Sequence, residues 1–206
     1  MNWANKITLL RIILIPIVLV LMFLDEKHHG LIDIKIGSSY EISLVMILAG
    51  IIFIIASLSD FLDGYIARHH NQVTTFGKFF DTIADKLLTN LVLVMFGYLN
   101  VIPIWAVLIF VARDFIMDVI RQVMSSQKVI VPANKLGKIK AAVQMIGLSI
   151  LFFANCKILS IDIYSFTSQM LLIPTYIAIL LSITSLINYI YLNRKGLLDT
   201  STRKHD

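Results

Sequence analysis

Long apolar runs divided by short polar stretches occupy almost the whole chain: Ile7 to Leu24, Glu41 to Ser59, Phe79 to Tyr98, Ile102 to Met124, Ile139 to Ala154 and Gln169 to Tyr191. A helix needs about 20 such residues to cross about 30 Å of hydrocarbon, and each run meets or approaches that length. The pattern predicts an all-α integral membrane protein of six transmembrane helices, with residues 1–206 forming one domain joined by short connections. The run from Ile139 to Ala154 is the shortest and leans on its flanks, and the first run already contains Thr8 and Arg11. Only residues 25–40, with Asp25, Glu26, His28, His29 and Asp33, read as a sizeable polar loop.

Composition agrees with the pattern, since 58% of the 206 residues are hydrophobic against roughly 45–50% in soluble domains. Mean hydropathy is +0.83. Of the 18 Lys and Arg residues, Lys27, Lys35 and Lys157 fall in the connections after the first and fifth runs, and the rest lie on or near the opposite side. Positive charge is retained on the cytoplasmic side, so both termini are expected there, and the net charge of +5 sits mainly at one membrane face. Such a face favours anionic lipids and anionic substrates, not nucleic acid. Arg11 interrupts the first run and no small-residue cleavage pattern follows Leu24, so the first span is expected to be retained rather than cleaved. Cys156 is the sole cysteine, which excludes an intramolecular disulfide and a thiol pair for zinc or redox work.

Four carboxylates break the apolar text. Asp60 and Asp63 stand three apart near the end of the second run, and Asp81 and Asp85 stand four apart near the start of the third. At either spacing helical side chains are neighbours, about 5–6 Å apart at Cβ, so each pair shares a face. A short turn, where Asn71, Thr74 or Thr75 can cap the next helix, allows the two faces to meet. Ionised side chains cost about 2.5–3.5 kcal/mol each at the centre of a membrane helix, so four of them together call for a wet, functional interior. Hard oxygen ligands suit Mg²⁺ or Mn²⁺, and this many carboxylates suit two ions. Gly64 and Ala67 remove bulk beside the carboxylates, Gly77 permits close helix approach, and Arg68 offers a fork of donors for phosphate or a counter-charge for an Asp. An EF-hand fails for want of alternating oxygen ligands. A proton or cation pathway is the other reading of buried carboxylates.

The string Asp60-x2-Asp63-Gly64-x2-Ala67-Arg68-x8-Gly77-x3-Asp81-x3-Asp85 resembles, without gaps, the signature of the CDP-alcohol phosphotransferase family. The resemblance implies six transmembrane helices, a site at the cytoplasmic interface and a homodimer. It implies that Asp60, Asp63, Asp81 and Asp85 hold the divalent metal, with Asp85 also the catalytic base. It further implies that Asn5, Thr8, Arg11, Gly64, Arg68 and Thr74 contact the CDP compound. Asn5, Thr8 and Arg11 are spaced by threes, so they can share one polar helix face; their bland reading is an interfacial anchor.

The second half carries its own anomaly. Arg113 and Arg121 lie eight apart on the fourth run, and Lys135, Lys138 and Lys140 open the fifth. Topology alone accounts for basic residues at a helix end, but not for Arg113 inside an apolar helix. A second anion site beside the carboxylates points to an acceptor that carries its own phosphate. Ala112-Arg113-Asp114 with Arg121, then Gly137-Lys138-x-Lys140 and Gln144, resembles the bacterial phosphatidylglycerophosphate synthase branch of the family, and the similarity runs from Asn5 to about Gln144. That branch implies CDP-diacylglycerol and sn-glycerol 3-phosphate as substrates, in a bacterial plasma membrane. The chain departs from the branch at Asp114, where Glu is expected, at Thr82, where Pro is common, and at Ala141, where Thr is common. A sibling enzyme acting on inositol phosphate, serine or phosphatidylglycerol is the alternative. A cation transporter is more remote, because it would spread its carboxylates through the bilayer.

Overall fold

The computed structural model describes the backbone over residues 3–27, 33–36, 40–69, 75–126, 135–154 and 165–198, and side chains over 8–26, 43–59, 83–125, 136–154 and 165–194 apart from 167. Six helices account for nearly all of it: α1 Trp3–Lys27, α2 Leu44–His69, α3 Thr75–Tyr98, α4 Ile104–Ser126, α5 Lys135–Phe153 and α6 Phe166–Leu198. The expected all-α bundle is therefore present. Its helices outrun the apolar segments, because polar residues such as Asp60 to His69 continue the helical repeat beyond the hydrophobic stretch of α2.

The expected start of the second span is corrected. Residues from Glu41 to Ser43 do not begin a helix; Asp33–Ile36 (β1) pairs antiparallel with Tyr40–Ser43 (β2), Asp33 opposite Ser43 and Ile36 opposite Tyr40. Each four-residue strand alternates polar and apolar positions, the period of a strand rather than a helix. The fourth helix likewise starts at Ile104, not Ile102. Asn100 takes a left-handed φ of 56°, its N–H bonds to Gly97 O at 3.1 Å, and Val101 N–H bonds to Phe96 O at 2.9 Å. That pair of bonds closes α3 in a Schellman motif, and Pro103 then prevents its continuation. The turn sets α3 and α4 antiparallel.

By length and composition, three of the six helices carry segments able to cross a membrane unaided: Thr8–Glu26, Leu136–Phe153 and Ser168–Arg194. The apolar part of α2, Leu44–Ser59, is shorter, and charged side chains interrupt α3 and α4. Outward positions throughout are large and apolar, including Ile13, Val20, Leu48, Leu108, Phe115, Ile146 and Leu180. So extensive an apolar surface suits lipid and not water. Pro16 in α1 and Pro174 in α6 are accommodated within their helices, as neighbours in a bundle allow.

Inside, α1 packs on α2 and α3, α5 reaches α2 and α3, and α6 packs along both α4 and α5. Lipid chains are as apolar as leucine, so close packing rather than hydrophobic expulsion holds such helices together. The centre is aromatic: Phe152 of α5 lies 5.3 Å from Phe53 of α2 and 4.8 Å, edge on, from Phe96 of α3. All three are fully buried. Gly50 makes that insertion possible, since a Cβ there would stand 2.7 Å from Phe152 Cβ. At one end of the bundle Ser43 donates to the Asp25 carboxylate and Tyr98 donates to Glu26 Oε1 at 3.0 Å, joining the ends of α1 and α3 to the start of α2. The carboxylate-bearing segments lie at the other end.

Gly50→Ala should therefore overpack the α2–α5 contact and lower stability by about 1–3 kcal/mol, read as an earlier thermal transition in detergent; an unchanged transition would show that the helices separate without cost.

Candidate active site

Three helical stripes converge at the end of the bundle opposite the hairpin. From α3 come Asp85, Lys86 and Thr89; from α4 Arg113, Asp114, Met117, Asp118 and Arg121; from α5 Gly137, Lys140, Ala141, Gln144 and Met145. Their spacings of one, three and four residues are those of a single helix face. Because α4 runs against α3 and α5, Arg121 and Gly137 stand at the mouth while Arg113, Thr89, Gln144 and Met145 lie deeper. The cavity they enclose is about 140 Å³. One water needs only about 10–15 Å³ of such volume, so a small polar molecule fits where a diacylglycerol would not.

Its electrostatics are organised around Asp114. One oxygen, Oδ1, accepts from Arg113 Nη1 at 2.9 Å and from Lys140 Nζ at 2.9 Å. Arg113 is 8% exposed and Lys140 4%, so both cations are held inside the bundle by that carboxylate. The Lys140 ammonium also stands 5.4 Å from the centre of the Phe110 ring, a cation–π contact. Helix α6 completes the set: Arg113 Nε donates to Ser182 O at 3.3 Å and Nη2 to Ser185 Oγ at 2.5 Å, while Ser185 Oγ donates back to Ser182 O at 3.0 Å. The guanidinium, with five N–H donors, retains two, and the ammonium retains two of three. These remaining donors are available to an anion in the cavity. Nearer the mouth, Lys86 pairs with Asp118 across α3 and α4. Arg121 is exposed and forms no ion pair among the described residues.

A family model described as CDP-alcohol phosphatidyltransferase matches residues 1–189. The chain belongs to the CDP-alcohol phosphatidyltransferase family. Among curated relatives, a Bacillus subtilis protein named CDP-diacylglycerol–glycerol-3-phosphate 3-phosphatidyltransferase is 40% identical over 154 residues, covering 75% of this chain and 78% of its own. Proteins of the same name from Rickettsia typhi and Mycoplasma genitalium are 36% identical over 154 residues and 32% over 191. The former match covers 75% of this chain and 78% of the relative, the latter 90% and 81%. As a CDP-alcohol phosphatidyltransferase with several apolar spans, the chain is a multi-pass membrane protein.

Within the family framework, the cavity gathers Asp85, Arg113, Arg121 and Lys140 from the expected site residues. Lys138 is exposed and is not among the residues that line the cavity. Thr8 and Arg11 both turn inward on α1, at 5% and 0% exposure, and so share a buried face, away from this cavity. Asp60, Asp63, Gly64 and Arg68 lie on α2, Asp81 on α3, Asn5 on α1 and Lys135 at the start of α5, and their side chains fall outside the described residues, as does Thr74 altogether. Among the described residues no three His, Cys, Asp or Glu side chains cluster around a metal position. Sequence reasoning missed Lys86, Asp118, Ser182 and Ser185. Asp118, one turn beyond Asp114 in an apolar helix, was the one with a usable signal.

Removing a single partner from a buried ion network leaves the rest uncompensated, at a cost of about 3–5 kcal/mol. Asp114→Ala should accordingly destabilise the protein by that order in thermal unfolding in detergent; a loss no larger than that of an exposed substitution would show that water already solvates Arg113 and Lys140.

Proposed function

We propose that the chain transfers the phosphatidyl group of CDP-diacylglycerol to sn-glycerol 3-phosphate, yielding phosphatidylglycerol phosphate and CMP. The observation that carries this reading is the shared cavity: Asp85, a member of the family's carboxylate motif, opens into the same small space as Arg113, Arg121 and Lys140. A hydroxyl bound there has a carboxylate to receive its proton, and a phosphate on the same molecule has cations to receive its charge. That combination favours a phosphorylated acceptor over serine. Relatives bearing the corresponding name, similar over three quarters of the chain or more, support the same choice.

The acceptor's phosphate is held by Arg113, Lys140 and Arg121, with Arg113 kept in place from behind by Ser182 and Ser185. Its terminal hydroxyl is thereby set toward Asp85. As the new O–P bond forms at the phosphatidyl phosphorus, the bond to the CMP oxygen breaks and the hydroxyl proton passes to Asp85. An ordinary aspartate is a weak base, so positioning supplies much of the rate. On α2 and α3, which pack together, Asp60, Asp63, Asp81 and Asp85 form a donor set of hard oxygens at helix-face spacing that fits Mg²⁺ or Mn²⁺, with two ions the favoured number. When bound, such ions neutralise the diphosphate and the charge on departing CMP. Asn5, Thr8, Arg11, Gly64, Arg68 and Thr74 are assigned to the CDP moiety, and Lys135 and Lys138 to the outer approach of the acceptor. The homodimer, the bacterial plasma membrane, and the placement of both termini and the site on the cytoplasmic side belong to the same reading, supported by family resemblance and the distribution of Lys and Arg.

Purified protein given CDP-diacylglycerol and Mg²⁺ or Mn²⁺ should release CMP with glycerol 3-phosphate, and much less with inositol phosphate, serine or phosphatidylglycerol. Release confined to one of the other three would transfer the assignment to that acceptor. Asp85→Asn should lower turnover by at least about a hundredfold while metal-dependent binding of CDP-diacylglycerol persists, the scale of a lost general base; near-normal turnover would remove Asp85 from proton transfer.

A further inference from the structure

Gln144 lines the cavity one helical turn deeper than Lys140, on the same face of α5. It is 5% exposed, and its Nε2 is buried with no hydrogen-bond partner among the described residues. Buried amide groups are nearly always satisfied, and leaving one unmade is costly. Most other polar groups around it are committed. Thr89 Oγ1 donates to Asp85 O at 3.0 Å, and Arg113, Asp114 and Lys140 bind one another. Met117 and Met145 supply only apolar wall. The open valence of the carboxamide is thus the deep cavity's one neutral polar group without a described partner.

Its chemistry differs from that of the cations above it. A phosphate only accepts, and Arg113, Lys140 and Arg121 serve it. A carboxamide both donates and accepts, and turning it over exchanges the two ends. Its natural complement is a hydroxyl, which also does both. The turn separating Lys140 from Gln144 is about 6 Å along the helix axis, close enough for one small polyol phosphate to meet both side chains.

We infer that Gln144 is a specificity residue, binding the hydroxyl of the acceptor that does not react, the C2 hydroxyl of glycerol 3-phosphate. This rests on the proposed transfer reaction and deepens it. Phosphate charge retains the acceptor, and Gln144 distinguishes a polyol phosphate from a simple alkyl phosphate with the same charge and the same terminal hydroxyl.

The discriminating probe is 3-hydroxypropyl phosphate, which is glycerol 3-phosphate without its C2 hydroxyl. CMP release from CDP-diacylglycerol is measured for the full chain with each acceptor. Wild type should favour glycerol 3-phosphate by about tenfold to a hundredfold in kcat/KM, the scale of one well-placed hydrogen bond in a water-poor site. Gln144→Met, and Gln144→Leu as a second variant, should bring the two acceptors to within about threefold, through a lower kcat/KM for glycerol 3-phosphate alone. Activity with 3-hydroxypropyl phosphate reports in the same assay that each variant is folded. A preference kept intact in the variants, or both acceptors losing equally, would overturn the assignment of Gln144 while leaving the transfer reaction standing. Wild type releasing no CMP with glycerol 3-phosphate would overturn both.

Discussion

An ion placed among lipid-facing helices must bring its own neutralisation, and the cavity end of this bundle is built around that demand. Arg113 and Lys140 come from different helices and are almost wholly enclosed, yet they meet at one oxygen of Asp114. Because the pairing joins α4 to α5, the same contact that satisfies the charges also closes the wall of the cavity. The shorter Asp at this position sits next to Arg113 in sequence, so one side chain bridges within its helix and across to the next. An anion entering the cavity does not meet bare positive charge. It meets donors already oriented by a carboxylate and by serine oxygens, with some N–H groups left over.

The two halves of the site differ in how they are built. The carboxylate pairs of α2 and α3 depend on spacing along two helices close in sequence, a local arrangement. The cavity depends on three helices, with a fourth holding Arg113 from outside, a tertiary arrangement. The aromatic contact of Phe53, Phe96 and Phe152 links these halves mechanically, since it fixes α5 against α2 and α3 at the level where Gly50 leaves room. Placement of Lys140 and Gln144 relative to Asp85 follows from that contact.

Legibility in the sequence followed the same division. The carboxylate motif could be read because each residue pair lies within one turn, and Arg113 because a guanidinium inside an apolar helix demands an explanation. Ser185 could not be read that way. Hydroxyls in apolar helices commonly bond back to their own backbone, as Ser59 does to Ile55 O, Ser149 to Met145 O and Thr184 to Leu180 O. Nothing in the local text separates Ser185 from these; only the position of α4 makes it a partner of Arg113. The hairpin was lost because the apolar run after Ser43 absorbed Glu41 and Ile42, whose alternation belongs to the strand.

The length of α6 has a consequence of its own. Its apolar segment, Ser168–Arg194, contains 27 residues and so extends about 40 Å, against about 30 Å of hydrocarbon. A helix too long for its bilayer leans, or lifts its ends into the headgroups. In this bundle α6 packs along both α4 and α5. Packing along both lets a largely lipid-exposed helix deliver Ser182 and Ser185 to an arginine on α4 while bracing the helix that carries Lys140. The helix whose length the bilayer must accommodate is thus also the one that holds Arg113.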